Sequence, residues 1–399
     1  MSAPLGHILN FYEDFDLLLA DCRVALSDLL GGRMGSVDEK IDGQNFTFTL
    51  RGGRVETFYK GAPWSRVSLG GRKIEDYVAQ YADRPRVAAA YIAAHQAVQS
   101  AIDASPAAAK SLFLEGRVVL NCEMVVCSNL NTVPYEQDTI CFFGPHAVDP
   151  ALGGAVNRSA YDEFVSGAVR VNSRFKMRHV PMVRLQAVES AVSESILGSL
   201  DHLVVGTHNV QSIGDLLVEL VLRELPSLGL SDADMRRVAR RIALEDKGAY
   251  TLTEAKRVGR KLFDEIDRIE SGTLRSRAVA PFERVFHRVA YECFSAAQFE
   301  VAPNDAAAGE PLRAWVESVR TAHAEGRIAG THQEIEKVDA ILGRIDLSLF
   351  GKPVEGIVFP WRGKTRKLTG AFTPINKLRG MFTYGKQHLK IFGRGAEVP

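Results

Sequence analysis

The stretch Glu39-Lys40-Ile41-Asp42-Gly43, continuing Gln44-Asn45-Phe46-Thr47-Phe48, carries more information than any other in the chain. A lysine stands two residues before an acid and three before a glycine, and an alternating β-branched and aromatic run follows. A lysine held in such a turn serves as a nucleophile once its ammonium loses a proton, which burial or a nearby cation favours. A glycine after the acid lets the backbone turn tightly and approach a ligand closely. Alone, a four-residue pattern of this kind is more often a solvated surface turn, so the rest of the chain has to decide.

With 399 residues, the chain has room for two or three domains, or for one domain with a large insert. Hydrophobic residues make up 46% and charged residues 24%, as in ordinary soluble globular proteins. The formal net charge is only +1, so any surface for phosphates must be local. Cys22, Cys122, Cys127, Cys141 and Cys293 are odd in number and include no Cys-x-x-Cys pair. That suits a reducing cytoplasm and speaks against a zinc site or a disulfide framework. Glu13, Asp14 and Asp16 stand where a basic-then-apolar signal pattern would lie. No run of eighteen apolar residues marks a membrane span. A soluble cytoplasmic protein without a membrane partner is expected.

Periodicity outlines the elements. Residues 8 to 31 predict one helix, with Leu17, Leu18, Leu19, Val24, Ala25 and Leu29 as its apolar face. From Gln44 to Tyr59 the period is two: Phe46, Phe48 and Leu50 alternate with Asn45, Thr47 and Thr49, and Arg51-Gly52-Gly53-Arg54 makes a hairpin turn. Ile74 to Ala104 predicts a helix ending at Ser105-Pro106. Residues 113 to 128 read as a buried strand pair, and Asp138 to Ala147 as another apolar strand. From about Ser212 to Leu342 the pattern is helical. Ile213, Leu216, Leu217, Leu220 and Val221 share a face before Pro226, and Ser231-Asp232 caps a helix carrying Met235, Val238 and Ile242. Thr251-Leu252-Thr253-Glu254 has capping-box spacing ahead of Val258, Leu262, Ile266 and Ile269. Pro281 opens a further helix, Val338 to Ile345 closes the region, and Ala302 to Pro311 reads as a linker. Strand signals resume at Val354. The expected architecture is α+β: a sheet core in residues 1–205, a helical insert in 206–345, and the last core strands in 346–399.

Four further features bear on chemistry. Glu123 sits inside the apolar strand Leu120-Asn121-Cys122-Glu123-Met124-Val125, where a carboxylate is costly unless paired or hydrogen-bonded. It reads either as a solvent-facing strand-end acid or as a ligand for a ribose hydroxyl or a metal. Glu355-Gly356 opens the strand through Ile357, Val358 and Phe359, so the acid would face a ligand that the glycine admits. Lys364-Thr365-Arg366-Lys367 follows; on a strand Lys364 and Arg366 share one face and Lys367 takes the other. Cations clustered there suit phosphates and developing phosphoryl charge, although a charge run is more often a solvated face. Lys60-Gly61 and Ser65-Arg66 place a basic loop behind the hairpin, and Cys141-Phe142-Phe143-Gly144 offers an aromatic to a purine or to the core.

In order, these features are Lys-x-Asp-Gly, basic loop, strand glutamate, aromatic strand, Glu-Gly-hydrophobic and lysine strand. That order resembles the covalent nucleotidyltransferase superfamily of ATP-dependent DNA ligases, RNA ligases and mRNA capping enzymes. The block EKIDGQNFTF is especially similar to the phage-type RNA ligases. The resemblance covers roughly residues 35 to 148 and 350 to 378. It implies a core of ATP-grasp-like antiparallel sheets and an ATP-dependent ligase that needs Mg2+ or Mn2+. Lys40 would attack the α-phosphate of ATP, expel pyrophosphate and carry a lysyl-AMP phosphoramidate. Glu39 would lie beside the adenine, Asp42 would fix the turn or the lysine, and Gly43 would admit the nucleotide. Arg66 would lie over the triphosphate or ribose and Phe143 would stack on adenine. Glu123 would contact ribose or metal, and Glu355 would assist metal binding. Lys364 and Lys367 would bind the α-phosphate and help move the nucleophile's proton. The AMP would pass to a polynucleotide 5′-phosphate, activating it for a 3′-hydroxyl, with RNA favoured over DNA. Were the chain phage-encoded, the host cytoplasm would be its compartment.

Departures from the pattern qualify this. The usual motif has two lysines one residue apart, whereas Arg366 follows Lys364 at that spacing. About 230 residues separate Glu123 from Glu355, and only about twenty follow Lys377, too few for a C-terminal OB-fold. An RNA-ligase-like enzyme without that fold is expected. The first alternative is a DNA ligase whose clamp is the helical insert. Arg236, Arg237, Arg240 and Arg241 form one basic stripe there, and Arg257, Arg260 and Lys261 another. The second alternative is a non-catalytic nucleic-acid-binding or virion-associated protein on a ligase fold. Oligomeric state is left open.

Overall fold

Alternation after Gly43 produces a sheet with one apolar and one mixed face. The computed structural model describes residues 8, 10–59, 61–127, 132–205, 210–226, 231–244, 271–384 and 389–391. The lysine turn forms Asp38–Lys40 (β1), followed by Gln44–Asn45 (β2), Thr47–Arg51 (β3) and Arg54–Phe58 (β4). Gly52 and Gly53, at φ 54° and 73°, make the β3–β4 turn that side chains disfavour. Val118–Val125 (β5), Thr139–Ala147 (β6) and Lys176–His179 (β7) complete a six-stranded sheet of order β4-β3-β5-β6-β7, with β2 also on β5. Its pairs are antiparallel except β6–β7.

Phe46, Phe48, Leu120, Cys122, Met124, Ile140 and Phe142 all point to one side of this sheet. They bury against the helices Pro85–Ala104, Pro106–Phe113 and Arg158–Ala168. Ala90, Ala94, Ala97 and Ala101 keep the first of these helices thin enough to approach closely. The opposite face carries Thr47, Thr49, Asn121 and Glu123 together with Val125 and Cys141, which bury in a second core.

Three short strands come next, Val183–Arg184 (β8), Gln298–Phe299 (β9) and Ile328–Ala329 (β10). Then come Gly356–Trp361 (β11), Lys364–Leu368 (β12) and Lys390–Ile391 (β13). A second sheet, β1-β11-β12, joins the lysine turn to the far end of the chain, and β8–β9 and β10–β13 are small antiparallel pairs. The fold is mixed α/β with mainly antiparallel sheets.

Several element expectations are corrected. The single helix over 8–31 is a 3-10 turn, Phe11–Glu13, and a helix, Leu19–Leu30. Asn10 and Leu18 instead bridge Lys367 and Ser212, so tertiary pairing breaks the helix. Pro85, which lacks an N–H, splits the Ile74–Ala104 helix into Ile74–Gln80 and Pro85–Ala104. The strand pair in 113–128 is one strand, β5, because Phe113 ends a helix and Leu114 and Glu115 turn the chain at positive φ. Pro281 lies inside the helix Ser271–Ala296 rather than opening it. Burial of Leu274, Ala278 and Val279 continues that helix ahead of the proline. The Ala302–Pro311 linker contains a 3-10 turn, Ala306–Gly309, and Pro311 starts the helix Glu310–Ala324. The capping box at Thr251–Glu254, the apolar series after it and the stripe Arg257, Arg260 and Lys261 lie outside the described residues, as does Lys60.

Helices Ile213–Glu224, Ser271–Ala296, Glu310–Ala324 and His332–Leu342 share one core with Leu19–Leu30, Ser190–Val204 and the β1-β11-β12 sheet. The boundaries expected at 205/206 and 345/346 therefore mark no break in the packing. Among the described residues no helix is long and apolar enough to cross a membrane.

A bidentate charged pair lies against this core. Arg344 donates from Nε and one Nη to both carboxylate oxygens of Glu283, at 2.8 and 2.7 Å, with 17% and 7% of the side chains exposed. Glu283→Ala leaves the guanidinium buried and unmatched and is expected to cost about 3 kcal/mol of unfolding free energy. Urea titration checks this, and the double change Glu283→Met with Arg344→Met is expected to recover much of the loss.

Candidate active site

Strand parity decides which side chains meet at the lysine turn. Lys40 pairs with Gly356, Glu39 with Ile357 and Asp38 with Val358, while Val358 in turn pairs with Lys367. Cross-strand partners share a face and neighbours along a strand take opposite faces. Lys40, Asp38, Val358 and Lys367 therefore share one face of the second sheet, and Glu39, Ile357 and Leu368 share the other. Glu355 precedes β11 and so lies outside this alternation; its carboxylate pairs with the Lys40 ammonium.

Two glycines set close approaches around this pair. A Cβ on Gly356 would lie 2.4 Å from the Leu368 carbonyl oxygen, so only glycine lets β11 sit this tightly on β12 beside Glu355. A Cβ on Gly43 would lie 3.0 Å from the Met124 carbonyl oxygen and 3.1 Å from Glu123 Cβ. Gly43 thus draws the turn onto β5, where Glu123 pairs with Asn45 on one side and Cys141 on the other.

Asp42 organises the next loop. Its carboxylate accepts from the Thr132 and Val133 N–H groups, at 2.5 and 2.8 Å, and its own N–H donates to the buried Tyr135 hydroxyl at 2.8 Å. Thr132 Oγ1 then donates to Asn376 Oδ1 at 2.8 Å, tying the loop to the helix Phe372–Tyr384. These elements enclose a cavity of about 280 Å3, lined by Lys40, Asp42, Glu123, Thr132, Glu355 and Arg379 among others.

The cavity holds more acid than base. Burial alone would lower the Lys40 pKa, but Glu355, then Glu123 and Asp42, outweigh it and raise it. Burial pushes the Glu355 carboxyl up to about 7, with Asp42 and Glu123 adding to the rise and Lys40 opposing it. Burial also raises Asp42, against its two N–H donors and Lys40. Three acids face Lys40 and Arg379, an imbalance that suits a divalent cation. Among the described residues no group of three or more His, Cys, Asp or Glu is placed to cage a metal. Magnesium commonly takes one or two protein carboxylates and completes its shell with phosphate oxygens and water, and Glu123 and Glu355 fit that mode.

The remaining expected residues are placed less uniformly. Glu39 faces away from the cavity: its carboxylate accepts from the N–H groups of Val301 and Ala302, at 3.2 and 2.9 Å. It ties β1 to the chain after β9 and is not brought to a nucleotide. Lys367 is buried on the face of Lys40, whereas Lys364 is exposed at the far end of β12 opposite Trp361. Arg366 is buried on the other face and pairs with Asp14. Phe143 follows Cys141 by two along β6 and so lies on the Glu123 side, half-buried against the core. Arg66 is exposed on the short helix Trp64–Val67 and does not line the cavity. In the helical region Arg236 pairs with Glu219 and Arg237 with Asp234, so acids of the same region match charges of that basic stripe. Thr132, Tyr135, Asn376 and Arg379 were not anticipated. Only the helical spacing of Asn376, Arg379 and Gly380 offered a signal for them.

Comparison with protein-family models, with curated proteins and with solved structures finds no match for this chain.

Glu39 gives the site region a pH signature. The side chain is 1% exposed, and burial pushes its carboxyl from 4.5 up to about 7 against the Val301 and Ala302 donors. The folded state thus binds this proton more tightly than the unfolded chain. The stability it contributes is fully present below about pH 4.5 and lost as pH rises through about 7. Glu39→Gln is expected to flatten the decline of unfolding free energy across that window, read by urea titrations at several pH values. An unchanged slope would show that Glu39 is not the titrating group.

Proposed function

We propose that this protein is an ATP-dependent polynucleotide ligase of the RNA-ligase type, with Lys40 as the residue that takes AMP. The observation that carries the reading is the pairing of Lys40 with Glu355 across β1 and β11, inside a cavity that also holds Glu123, Asp42 and Arg379. The motif order in the sequence brings together residues that are far apart in the chain, and the lysine lies in a cavity rather than on an open surface.

In this mechanism the acids that raise the Lys40 pKa hold it as an ammonium in the free site. ATP brings phosphates into the cavity; Glu123 and Glu355 would hold a magnesium ion, which would supply charge neutralisation for those phosphates. Glu355, the carboxylate against the Lys40 ammonium, is the group placed to take its proton as the amine turns to the phosphorus. Lys40 Nζ attacks the α-phosphorus, pyrophosphate departs, and lysyl-AMP remains. Lys367, on the same face, is the better placed of the two expected lysines to stabilise the α-phosphate; Lys364 is at the wrong end of the strand. The AMP passes to a 5′-phosphate, and attack by a 3′-hydroxyl seals the junction and releases AMP.

The test is incubation with α-labelled ATP and magnesium, followed by denaturing electrophoresis. Covalent label on the wild type and at least about a hundredfold less on Lys40→Ala are expected, since removing a nucleophile removes the covalent route. Equal labelling of the two proteins would end the proposal. Glu355→Gln is expected to label more slowly because it removes a carboxylate from both the lysine and the cation. Competition among nicked RNA, nicked DNA and single-stranded RNA then ranks the polynucleotide substrates.

A further inference from the structure

In-line displacement at phosphorus puts the entering and leaving groups on opposite sides of the atom. If Lys40 enters from one side, pyrophosphate leaves from the other. When the lysyl-AMP is attacked in its turn, Lys40 is the leaving group. The 5′-phosphate of the polynucleotide must then enter from the side that pyrophosphate vacated. The two steps therefore call for one phosphate-binding place in the cavity, away from the strand that carries Lys40.

The helix Phe372–Tyr384 has the features of such a place. Asn376, Arg379 and Gly380, at i, i+3 and i+4, present one helix face to the cavity. Arg379 is half-buried and its charge reaches Asp42 in the lysine turn. The hydrogen bond from Thr132 to Asn376 ties this helix to the loop that Asp42 holds, which registers Arg379 against the turn. Gly380 is a separate observation. Glycine inside a helix costs about 0.5–1 kcal/mol relative to alanine, yet a Cβ built there meets no atom within 4 Å. Packing does not demand the glycine, and the space beside Arg379 is open.

We infer that Arg379 and the open space at Gly380 form an anion subsite. It holds the pyrophosphate leaving group in the first step and the 5′-phosphate of the acceptor strand in the second. The inference rests on the ligase reading above. In the first step Nζ, having lost a proton, forms the N–P bond. The bond from the α-phosphorus to its bridging oxygen breaks, that electron pair leaves on pyrophosphate, and a second N–H proton passes to solvent. In the second step a 5′-phosphate oxygen forms the new P–O bond. The P–N bond breaks, and its pair returns to Nζ with a proton from solvent. The guanidinium stays charged throughout and meets phosphate oxygens with paired N–H donors.

The test uses purified, labelled adenylylated protein. It is chased either with pyrophosphate or with a 5′-phosphorylated strand that the wild type accepts, and loss of label is followed. Arg379→Gln is expected to raise the pyrophosphate concentration for half-maximal reversal roughly tenfold or more, and to slow transfer to the 5′-phosphate by a similar factor. Arg379→Lys is expected to fall between. Lys377→Gln, an equal loss of charge on the exposed side of the same helix, is expected to match the wild type. Wild-type behaviour of Arg379→Gln in either chase overturns the shared subsite, as does an equal defect in Lys377→Gln. If Arg379→Gln yields no folded protein, Arg379→Lys decides: intermediate values in both chases support the subsite and wild-type values overturn it. Failure of the wild type to take label is a different result and overturns the ligase reading instead.

Discussion

The pairing of β1 with β11 is the constraint on which the candidate site depends. It joins residues 315 positions apart in the chain, and it sets the Lys40 ammonium against the Glu355 carboxylate. Neither group has a low-cost alternative once buried, because an unmatched charge in such surroundings is far more costly than a matched one. The same pairing fixes parity for everything else on the sheet. It sends Lys367 to the side of Lys40 and turns Glu39 into a tie to Val301 and Ala302.

Around that pair the site is assembled by hydrogen bonds that relay from one wall to the next. Asp42 receives two backbone donors from the 132–133 loop, Thr132 passes the contact on to Asn376, and the helix carrying Asn376 also carries Arg379. Gly43 and Gly356 act differently: each removes a side chain where two backbones must nearly touch. The resulting cavity is polar and acid-rich, an environment in which an added cation and an anionic ligand are more favourable together than either is alone.

Much of the six-stranded sheet was legible because its alternation is strict. Phe46, Phe48 and Leu50 against Asn45, Thr47 and Thr49 dictate both strand and buried face. The glycine after Glu355 was likewise readable as the start of a strand. What could not be read was register. Whether Lys364 or Lys367 shares a face with Lys40 depends on Lys367 standing opposite Val358 and Val358 opposite Asp38, and the second of these is a long-range pairing that no local pattern encodes. Arg379 escaped notice for a related reason, since a helix shows its apolar face in sequence but not which polar residues will border a distant strand. The 8–31 segment failed in the other direction: a good helical pattern was interrupted by backbone bridges to residues more than 190 positions away.

The closure of β1 by β11 also has a consequence for biosynthesis. As the chain leaves the ribosome, the strand carrying Lys40 emerges early, while its partner strand and the helix bearing Arg379 are among the last described elements to be made. Pairings of such long sequence separation form late and slowly, since the loop they close must be ordered first. A nascent or truncated chain ending before residue 355 would hold the residues of the apolar sheet and its alanine-rich helix, yet lack Glu355 and the helix wall that close the cavity around Lys40. Assembly of the lysine site is thereby deferred until the segment from Glu355 to Gly380 has been made.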